Sequence, residues 1–378
     1  MEAFLRFDLP HMTEEISGYG LSKVTSATGF TAPALDYRPP YPRHYQPRIG
    51  VVGAGGISEY HLRAYQRRGW QVVAIADRTL TKAQARADEF APGALATTDL
   101  RDLLQNPDID VIDATPHARD RVPVIEAALR AGKHVLSQKP FVDDPAEGER
   151  LIRLAASQGR KLAVNQNGRW APHFSYMAAA IRAGLIGEVA SIDFVLHWDH
   201  TWTAGTRFED IKHLLLSDFG IHWFDIATVV MGGALPERVY ASVQRISFQT
   251  LKPPFLASVI ADYRGAQVRM SFNAHVKHGQ EDRTIIAGSQ GTLRASGPGL
   301  NEQRVWLWTA QGEAEVPLQG CWFESGFEGA MGELLCAIED DREPSNNGAS
   351  SLKSLAFCQA ALRSADEGRP ISLASASE

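Results

Sequence analysis

Short apolar runs rich in β-branched residues alternate with amphipathic stretches from Arg48 to Asn167, a pattern that predicts β-α-β units around a parallel sheet. The predicted strands are Ile49–Gly53, Val72–Asp77, Val111–Thr115, His134–Lys139 and Leu162–Asn167. The predicted helices are Ser58–Arg68, Thr81–Phe90, Leu100–Gln105, Arg121–Arg130 and Pro145–Gln158. Three of them are followed by glycines that are expected C-terminal caps, Gly69, Gly132 and Gly159. The sequence therefore predicts a doubly wound α/β domain ending near Asn167.

The pattern changes after Asn167, where strand-like runs follow one another across short connections. These runs are Val189–Trp198, Arg238–Ile246, Leu256–Tyr263, Gln267–His275, Arg283–Ala287, Thr292–Ala295 and Val305–Trp308. Such a succession predicts an open, mainly antiparallel sheet in a second domain of the α+β class. Helices are predicted at Ala178–Ala183, Ser217–Val230, Gly326–Glu339 and Ser351–Ala365. We expect the last two, within 326–365, to pack back on the chain.

The first 47 residues form a separate arm, rich in proline and tyrosine. Prolines among Tyr37, Tyr41 and Tyr45 exclude a helix and favour extended, polyproline-like backbone. Two interpretations stay open, a disordered tail or a strap across a neighbouring subunit, because spaced tyrosines bury large areas at little entropic cost. The predicted organisation is an arm over 1–47, an α/β domain over 48–168 and an α+β domain over 169–378.

The composition excludes several classes of function. The chain has 378 residues with 38 Lys and Arg against 44 Asp and Glu, a formal net charge of −6, so we expect no nucleic-acid partner. No apolar run is long enough for a membrane span, and the first residues lack a basic segment followed by an apolar one. We therefore expect a cytoplasmic protein. Cys321, Cys336 and Cys358 lack C-x-x-C spacing and predict buried thiols instead of disulfides or a zinc site.

A glycine-rich turn follows the first predicted strand. Gly53, Gly55 and Gly56 stand where a helix begins, the position at which a dinucleotide's pyrophosphate meets backbone N–H groups. Gly53 permits the tight turn, and Gly55 lets the backbone approach the phosphates. The third glycine of G-x-G-x-x-G is replaced by Ser58, so the strict fingerprint fails, although a small residue there still lets the helix pack on the strand. The turn alone is weak evidence, since turns use glycine whether or not a ligand binds.

The end of the second predicted strand supports a nucleotide site. Asp77 lies there, 21 residues after Gly56, where a carboxylate can accept hydrogen bonds from the adenosine ribose hydroxyls. A carboxylate also repels a 2′-phosphate, so the sequence favours NAD over NADP. Arg78 complicates the choice, because its guanidinium can stack on adenine or pair with a phosphate. The context predicts a Rossmann dinucleotide-binding domain; a nucleotide-free doubly wound fold is the other interpretation.

The segment from Ala131 to Pro140, AGKHVLSQKP, resembles the G-K-H-V-x-x-E-K-P segment of the glucose-fructose oxidoreductase / inositol dehydrogenase / rhizopine-catabolism (Gfo/Idh/MocA) family. Further family motifs match in order along the chain. They fall at Gly53, Gly55, Gly56 and His61; at Thr115-Pro116; at Asn167, Arg169, Trp170 and Pro172; and at Asp218, Gly220 and His222. The resemblance covers about 48 to 378 and implies a Rossmann domain followed by an open antiparallel sheet. It also implies a nicotinamide-dependent oxidoreductase acting on secondary alcohols of sugars and cyclitols.

Two positions depart from the family pattern. Gln138 stands in place of the usual glutamate before Lys139, and Asp120 in place of the usual histidine. The first removes a charge beside the lysine. The expected cofactor contacts are Gly53, Gly55, Gly56, Ile57, Asp77, Arg78, Thr115, Pro116, Gln138, Lys139, Asn167 and Trp170.

Oxidation of a secondary alcohol needs a cation for the developing alkoxide and a base for the hydroxyl proton. Lys139 ends a predicted parallel strand, where doubly wound sheets bind ligands, although a simply solvated lysine would give the same pattern. Asp218 and His222 are four residues apart on a predicted helix, so the carboxylate can orient the imidazole or a substrate hydroxyl. A helix-surface pair or an N-cap is the alternative for these two. The resemblance implies that His222 accepts the proton, with Lys139 as its electrostatic partner.

A polar cluster in the second domain is a candidate sugar pocket. Strand alternation separates Ile192, Phe194, Leu196 and Trp198 from His197 and Asp199. If the face of His197 and Asp199 looks toward the nicotinamide, it forms the pocket, with Trp202 and Trp170 as apolar platforms. The predicted substrate contacts are Lys139, Arg169, His197, Asp199, His200, Trp202, Asp218 and His222. We predict no metal site, since a strand places His200 opposite Asp199.

Three hypotheses for the function follow. The first is an NAD-dependent oxidoreductase acting on a ring hydroxyl of a sugar, glycoside or cyclitol. The second is glycoside cleavage, in which transient oxidation permits elimination and the hydride then returns. The third is a non-catalytic, nucleotide-dependent sensor. A broad open sheet face also predicts a homo-oligomer.

Overall fold

The computed structural model of the protein describes residues 29–373. It contains a parallel sheet of six strands, followed along the chain by a mixed, mostly antiparallel sheet of nine strands. The predicted fold class is therefore confirmed. Residues 1–28 of the proline- and tyrosine-rich arm lie outside the described residues.

The first sheet has the strand order β3-β2-β1-β4-β5-β6, with every neighbouring pair parallel. Its strands are β1 (Arg48–Val52), β2 (Gln71–Ala76), β3 (Leu95–Thr97), β4 (Val111–Ala114), β5 (His134–Ser137) and β6 (Leu162–Val164). Its helices are α1 (Gly56–Arg68), α2 (Leu80–Phe90), α3 (Leu100–Leu104), α4 (Ala118–Arg130) and α5 (Pro145–Ser157). The carboxyl ends of all six strands lie along one edge, where doubly wound sheets bind ligands.

Two local predictions in this domain are wrong. The sequence analysis missed β3, which has only three residues and too short a pattern to recognise. It also extended the last strand to Asn167, whereas β6 ends at Val164 and a 3₁₀ turn runs over Asn167–Trp170. The three predicted glycine caps do have left-handed backbone, with φ of 69° at Gly69, 71° at Gly132 and 60° at Gly159.

The second sheet has the order β14-β13-β12-β11-β7-β10-β9-β8-β15. Its strands are β7 (Val189–His197), β8 (Arg238–Gln244), β9 (Leu256–Tyr263), β10 (Ala266–Asn273), β11 (Glu281–Gly288), β12 (Gly291–Gly299), β13 (Glu302–Thr309), β14 (Gly312–Val316) and β15 (Ile371–Ser372). The central pair, β7 and β10, is parallel, so the sheet is not wholly antiparallel. The sequence analysis missed β14, in which glutamates alternate with small residues, and β15, which has two residues.

Helices cover one face of the second sheet. They are α6 (Pro172–Arg182), α7 (Ile221–Val230), α8 (Trp322–Glu339) and α9 (Gly348–Glu367). The predicted helix Ser217–Val230 is divided, because a π-helical turn over Leu215–Phe219 precedes α7. Helix α8 also packs on the first domain, where Glu328 accepts hydrogen bonds from Arg67 at 2.9 Å and from Arg68 at 2.7 Å. No helix among residues 29–373 combines the length and apolar character needed to cross a membrane.

The described part of the arm, residues 29–47, is extended and lies along its own chain. Tyr41 stacks on Trp70 with ring centroids 5.8 Å apart and donates a hydrogen bond to the Arg68 carbonyl. Tyr37 packs edge-on against Tyr176, a residue of α6. These tyrosines therefore contact both domains of the same chain, which neither interpretation of the arm had anticipated.

Asp282 is a buried acid in β11, on the helix-covered face. Its Oδ2 has no hydrogen-bond partner, and burial, followed by the charge of Glu281, raises its pKa to about 8. The folded state therefore keeps a proton that the unfolded chain releases above about pH 4, so stability falls as pH rises from about 4 to about 8. We expect Asp282→Asn to raise the free energy of unfolding by about 5 kcal/mol at pH 8 and to have almost no effect at pH 4.

Chemical denaturation of both proteins at several pH values measures this difference. Asp88→Asn on the exposed face of α2 is the matched control, for which we expect no pH-dependent gain. A gain for Asp282→Asn that is the same at pH 4 and pH 8 would contradict the protonated state of Asp282.

Candidate active site

The turn after β1 is built around Gly53. Its backbone has φ of 97°, and a Cβ there would lie 2.5 Å from Oγ1 of Thr115. That hydroxyl donates to the carbonyls of Val52 and Gly53, each at 3.0 Å, so Thr115 and Pro116 in the turn after β4 pack directly on the glycine turn. Only glycine fits this close approach.

The next two glycines leave open space above the start of α1. A Cβ at Gly55 or Gly56 would meet nothing within 4 Å, and no side chain caps the first N–H groups of the helix. Ile57 lies half-buried in the first turn. Uncapped N–H groups facing open space are what a pyrophosphate requires, so the residues present fit an NAD molecule here.

Asp77 connects the end of β2 to this turn. Its carboxylate accepts hydrogen bonds from the N–H of Ala54 at 2.8 Å and of Thr79 at 2.9 Å. Because a carboxylate has about four acceptor sites, lone pairs are left for a ligand hydroxyl. The Arg78 side chain is 86% exposed, with its nearest carboxylate oxygen, of Asp120, 3.9 Å away. Asp120, the second departure from the family pattern, therefore faces the arginine that flanks the adenosine position.

Lys139 and Asp218 come from different domains and meet at the carboxyl edge of the first sheet. The Nζ of Lys139 lies 2.9 Å from the Asp218 carbonyl oxygen and 3.5 Å from its Oδ1. The side chains are 14% and 22% exposed, so both are reachable from solvent. Asp218 lies in the π-helical turn, which depends on Gly220, since a Cβ there would be 2.6 Å from the Leu215 carbonyl oxygen.

His222 lies in the first turn of α7 and is half-buried. Its Nδ1 has no hydrogen-bond partner, and burial, followed by the positive charge of Lys139, lowers its pKa well below the usual value. The imidazole is therefore neutral and can accept a proton. Its ring packs edge-on against Trp322, at a centroid distance of 5.5 Å. Asp218 contacts Lys139 and makes no hydrogen bond to His222 in the described structure, so the expected orientation of the imidazole by that carboxylate is not seen.

An aromatic group adjoins Asp218 through the next residue, Phe219. Phe219 contacts His200 at a centroid distance of 4.3 Å and Trp202 at 6.2 Å. His200 is buried, which lowers its pKa to about 4, and it stacks on Trp198 at 5.2 Å. Trp202 is 57% exposed. The two residues therefore offer a neutral imidazole and an open apolar surface next to Asp218.

The structure places His197 and Asp199 away from this group. In β7, Ile192, Phe194 and Leu196 are buried under the helices, so His197 points to the opposite face of the sheet. Asp199 accepts hydrogen bonds from the N–H and hydroxyl of Thr201. The assignment of these two residues to a sugar pocket stays a prediction.

The side chains of the 3₁₀ turn Asn167–Trp170 contact other residues of the protein. Arg169 binds both carboxylate oxygens of Asp225, at 2.7 and 2.5 Å, so its guanidinium is occupied. Asn167 accepts a hydrogen bond from the indole of Trp322 at 2.8 Å. Trp170 is buried against Gly329 of α8 and offers no open platform. These three side chains join the 3₁₀ turn to α7 and α8.

Arg121 was missed as a functional candidate. It is buried in α4, where burial lowers its pKa to about 9, and its guanidinium donates to the carbonyls of Pro116 and Pro140. It thereby ties the turn after β4 to the turn that carries Lys139. The signal in the sequence was the spacing of Arg121, Ile125 and Ala128. At i, i+4 and i+7 these residues share one buried face of α4.

Comparison with known proteins gives consistent matches. A family model described as an oxidoreductase family with an NAD-binding Rossmann fold matches residues 47–166, and one for the GFO/IDH/MocA C-terminal domain matches residues 174–294. An inositol 2-dehydrogenase of Rhizobium meliloti (strain 1021) is 26% identical over 343 residues, covering 86% of this chain and 99% of that protein. A dTDP-3,4-didehydro-2,6-dideoxy-alpha-D-glucose 3-reductase of Streptomyces violaceoruber is 32% identical over 252 residues, 65% of this chain and 71% of that protein.

The structure is also similar to solved ones. An oxidoreductase from Agrobacterium radiobacter, crystallised in complex with NAD+, L-tartaric acid and magnesium, superposes with a TM-score of 0.78. It shares 21% sequence identity, and the match covers 87% of this chain and 98% of that one. At this identity the likeness is one of fold.

Proposed function

Because the chain belongs to the Gfo/Idh/MocA family of oxidoreductases, which has an NAD-binding Rossmann fold, we propose that it transfers hydride between NAD and a ring secondary hydroxyl of a sugar, glycoside or cyclitol. The observation that carries the proposal is the pairing of a solvent-reachable ammonium, Lys139, with a half-buried neutral imidazole, His222. The names of the two relatives, one acting on inositol and one on a nucleotide-linked sugar, support the substrate class.

The proposed roles follow from the charges of the side chains. Lys139 holds the substrate oxygen and stabilises the alkoxide as it forms, while Asp218 fixes the position of the ammonium. His222 accepts the hydroxyl proton, since its neutral imidazole has a free lone pair on one ring nitrogen. NAD, when bound, supplies the acceptor for the hydride from the carbinol carbon. The proton and the hydride thus leave the alcohol to different acceptors, and the product is a ketone.

We also propose that the enzyme prefers NAD to NADP. Asp77 holds a carboxylate within hydrogen-bonding distance of the glycine turn, and a 2′-phosphate beside it would be repelled. Arg78, which is largely exposed, reaches no carboxylate closer than 3.9 Å and is the one feature on this edge that favours a phosphate.

Absorbance at the reduced-nicotinamide band tests the reaction. Purified protein is mixed with NAD or NADP and a panel of monosaccharides, aryl glycosides and inositols, with a control without added cofactor. Sustained growth of the band with one substrate class is the expected result. A burst limited to one equivalent would instead indicate a retained cofactor that is recycled, as in glycoside cleavage. Absence of any signal, in a protein shown to bind NAD, would contradict the proposal.

Trp202 is proposed as a platform for the apolar face of the substrate ring. We expect Trp202→Ala to raise KM about tenfold with little change in kcat, because a stacking platform binds substrate and transition state equally. Trp202→Phe keeps an aromatic face and should recover most of the loss. Steady-state kinetics with the substrate found in the panel measure both values. A lowered kcat with an unchanged KM would remove Trp202 from this role.

We further propose a homo-oligomer that works in the cytoplasm. The uncovered face of the second sheet carries Trp306 and Trp308 on β13 and the exposed Ile260 on β9, apolar residues suited to association with a second copy. The three cysteines are free, as expected in a reducing compartment. Sedimentation equilibrium measures the assembly.

A further inference from the structure

A cluster of buried polar side chains lies beneath the turn that carries Lys139. It joins α1, which follows the glycine turn, to the ends of β4 and β5, and its members are His61, Asp113, Gln138 and Asn165. We infer that His61 is a positioning residue, held as the neutral imidazole protonated at Nδ1, and that through Gln138 it fixes the backbone of Lys139. No cofactor or substrate contact is needed for this arrangement.

We call the hydrogen bonds from Asp113 through His61 and Gln138 to the backbone of Lys139 the relay. Its first half joins His61 to Asp113. The Nδ1 of His61 lies 2.8 Å from Oδ2 of Asp113, and the hydroxyl of Tyr65 donates to the same oxygen at 2.7 Å. Burial, followed by the charge of Asp113, raises the pKa of Tyr65, so the phenol keeps its proton and acts as a donor. With the carboxylate as acceptor, the proton on His61 Nδ1 points to Asp113.

The second half of the relay is fixed by the backbone of Lys139. Its N–H donates to Oε1 of Gln138 at 2.6 Å, so the other end of the amide, the NH₂ group, faces Nε2 of His61 at 3.2 Å. Asn165 is oriented in the same way, because its NH₂ group lies 3.3 Å from Oε1 of Gln138 and 3.1 Å from Nε2 of His61. Two amide donors therefore meet Nε2, which must be an unprotonated acceptor.

Glutamine is the side chain that satisfies both partners at position 138. Its carbonyl accepts from Lys139 and its NH₂ group donates to His61, whereas a glutamate only accepts and would require a proton on His61 Nε2. All four members of the cluster are at most 4% exposed, so water does not replace a lost partner. Loss of the relay therefore frees the turn from which the Lys139 ammonium reaches Asp218.

Nitrogen NMR of the histidine rings tests the protonation state without any assay of activity. The full-length protein is labelled at its 12 histidines, and His61→Gln identifies the His61 signals by their loss. We expect one protonated nitrogen, Nδ1, and one unprotonated nitrogen, Nε2, in the wild type, and two protonated nitrogens in Gln138→Glu. A wild-type His61 with its proton on Nε2, or on both nitrogens, would overturn the inference.

A double-mutant cycle tests the positioning role. We expect Gln138→Leu to lower kcat about tenfold, and Gln138→Glu to recover most of that loss because a doubly protonated His61 can donate to it. With His61→Leu, the advantage of glutamate over leucine should disappear. Equal kcat values for Gln138→Glu and Gln138→Leu, with His61 present and with unchanged melting temperatures, would overturn the role. If a melting temperature falls, the NMR result on the wild type still decides the relay.

The effect on turnover rests on the proposed function of Lys139, while the ring protonation does not. A Lys139 variant with undiminished kcat would therefore count against the proposed function alone. Correct His61 signals together with a kcat that is insensitive to Gln138→Leu would count against the positioning role alone.

Discussion

Replacing Lys139 by alanine is expected to lower kcat about a thousandfold, because Lys139 is the cation nearest to the reacting oxygen. The ammonium lies 2.9 Å from a backbone carbonyl and 3.5 Å from the Asp218 carboxylate, in a position from which it can bind the reacting oxygen. Charge that develops on that oxygen would lose its nearest cation. Stopped-flow and steady-state measurements with the substrate identified from the panel give kcat directly.

The same variant should still bind the dinucleotide. The glycine turn and Asp77 do not depend on the Lys139 side chain, so the Kd for NADH, measured by fluorescence titration, should change by no more than a few-fold. Lys82→Ala, at an exposed position of α2, is the matched control and should have the wild-type kcat. A Lys139→Ala protein that turns over at the wild-type rate would assign the oxygen-binding role to another group. Loss of NADH binding in parallel with kcat would make Lys139 a cofactor ligand first.

Local sequence patterns were sufficient to predict most elements of the first domain. A β-branched run, a glycine turn and an amphipathic stretch each lie within a few residues, so the β1–α1 turn and the parallel sheet could be recognised from the sequence. The same argument fails for β3 and β15, because two or three residues are too few for a period to appear. It fails also at Asn167, where the pattern of a strand continues while the backbone turns to contact α8.

The candidate site depends on contacts that no spacing reveals. Lys139 and Asp218 are separated by 79 residues, and they meet because tertiary packing brings the π-helical turn to the lysine. The pairing of Arg169 with Asp225 likewise joins two residues that are 56 positions apart in the sequence. In each case the charge of a side chain was visible in the sequence and its partner was not.

Strand alternation gave partial information about the second domain. It separated His197 from the buried residues of β7, as observed, but it could not say which face the helices would cover. That choice places His200 and Trp202 beside Phe219 and leaves His197 and Asp199 on the other side. The pleat thus decides which residues share a face, while tertiary packing decides which face can bind a ligand.

His222→Asn is expected to lower kcat for alcohol oxidation about a thousandfold, because asparagine keeps a polar group in the cavity but cannot accept a proton. The imidazole is half-buried, its Nδ1 has no partner, and its edge packs on Trp322. Proton removal would then fall to water, which is a much weaker base than imidazole. His278→Asn, at an exposed position after β10, is the control and should leave kcat unchanged.

The pH dependence separates His222 from an ordinary surface histidine. Burial, followed by the charge of Lys139, lowers its pKa well below the usual value, so the base stays unprotonated as pH falls through about 6.5. The wild-type kcat for alcohol oxidation should therefore show no acidic limb at that pH, while a histidine with its usual pKa would lose half of its activity there. The value of kcat is measured from pH 8 to pH 5.5. A fall in kcat near pH 6.5 that disappears in His222→Asn would contradict the neutral state of His222. A His222→Asn protein with wild-type kcat would exclude the imidazole from proton transfer altogether, leaving Lys139 as the group to be tested as the base.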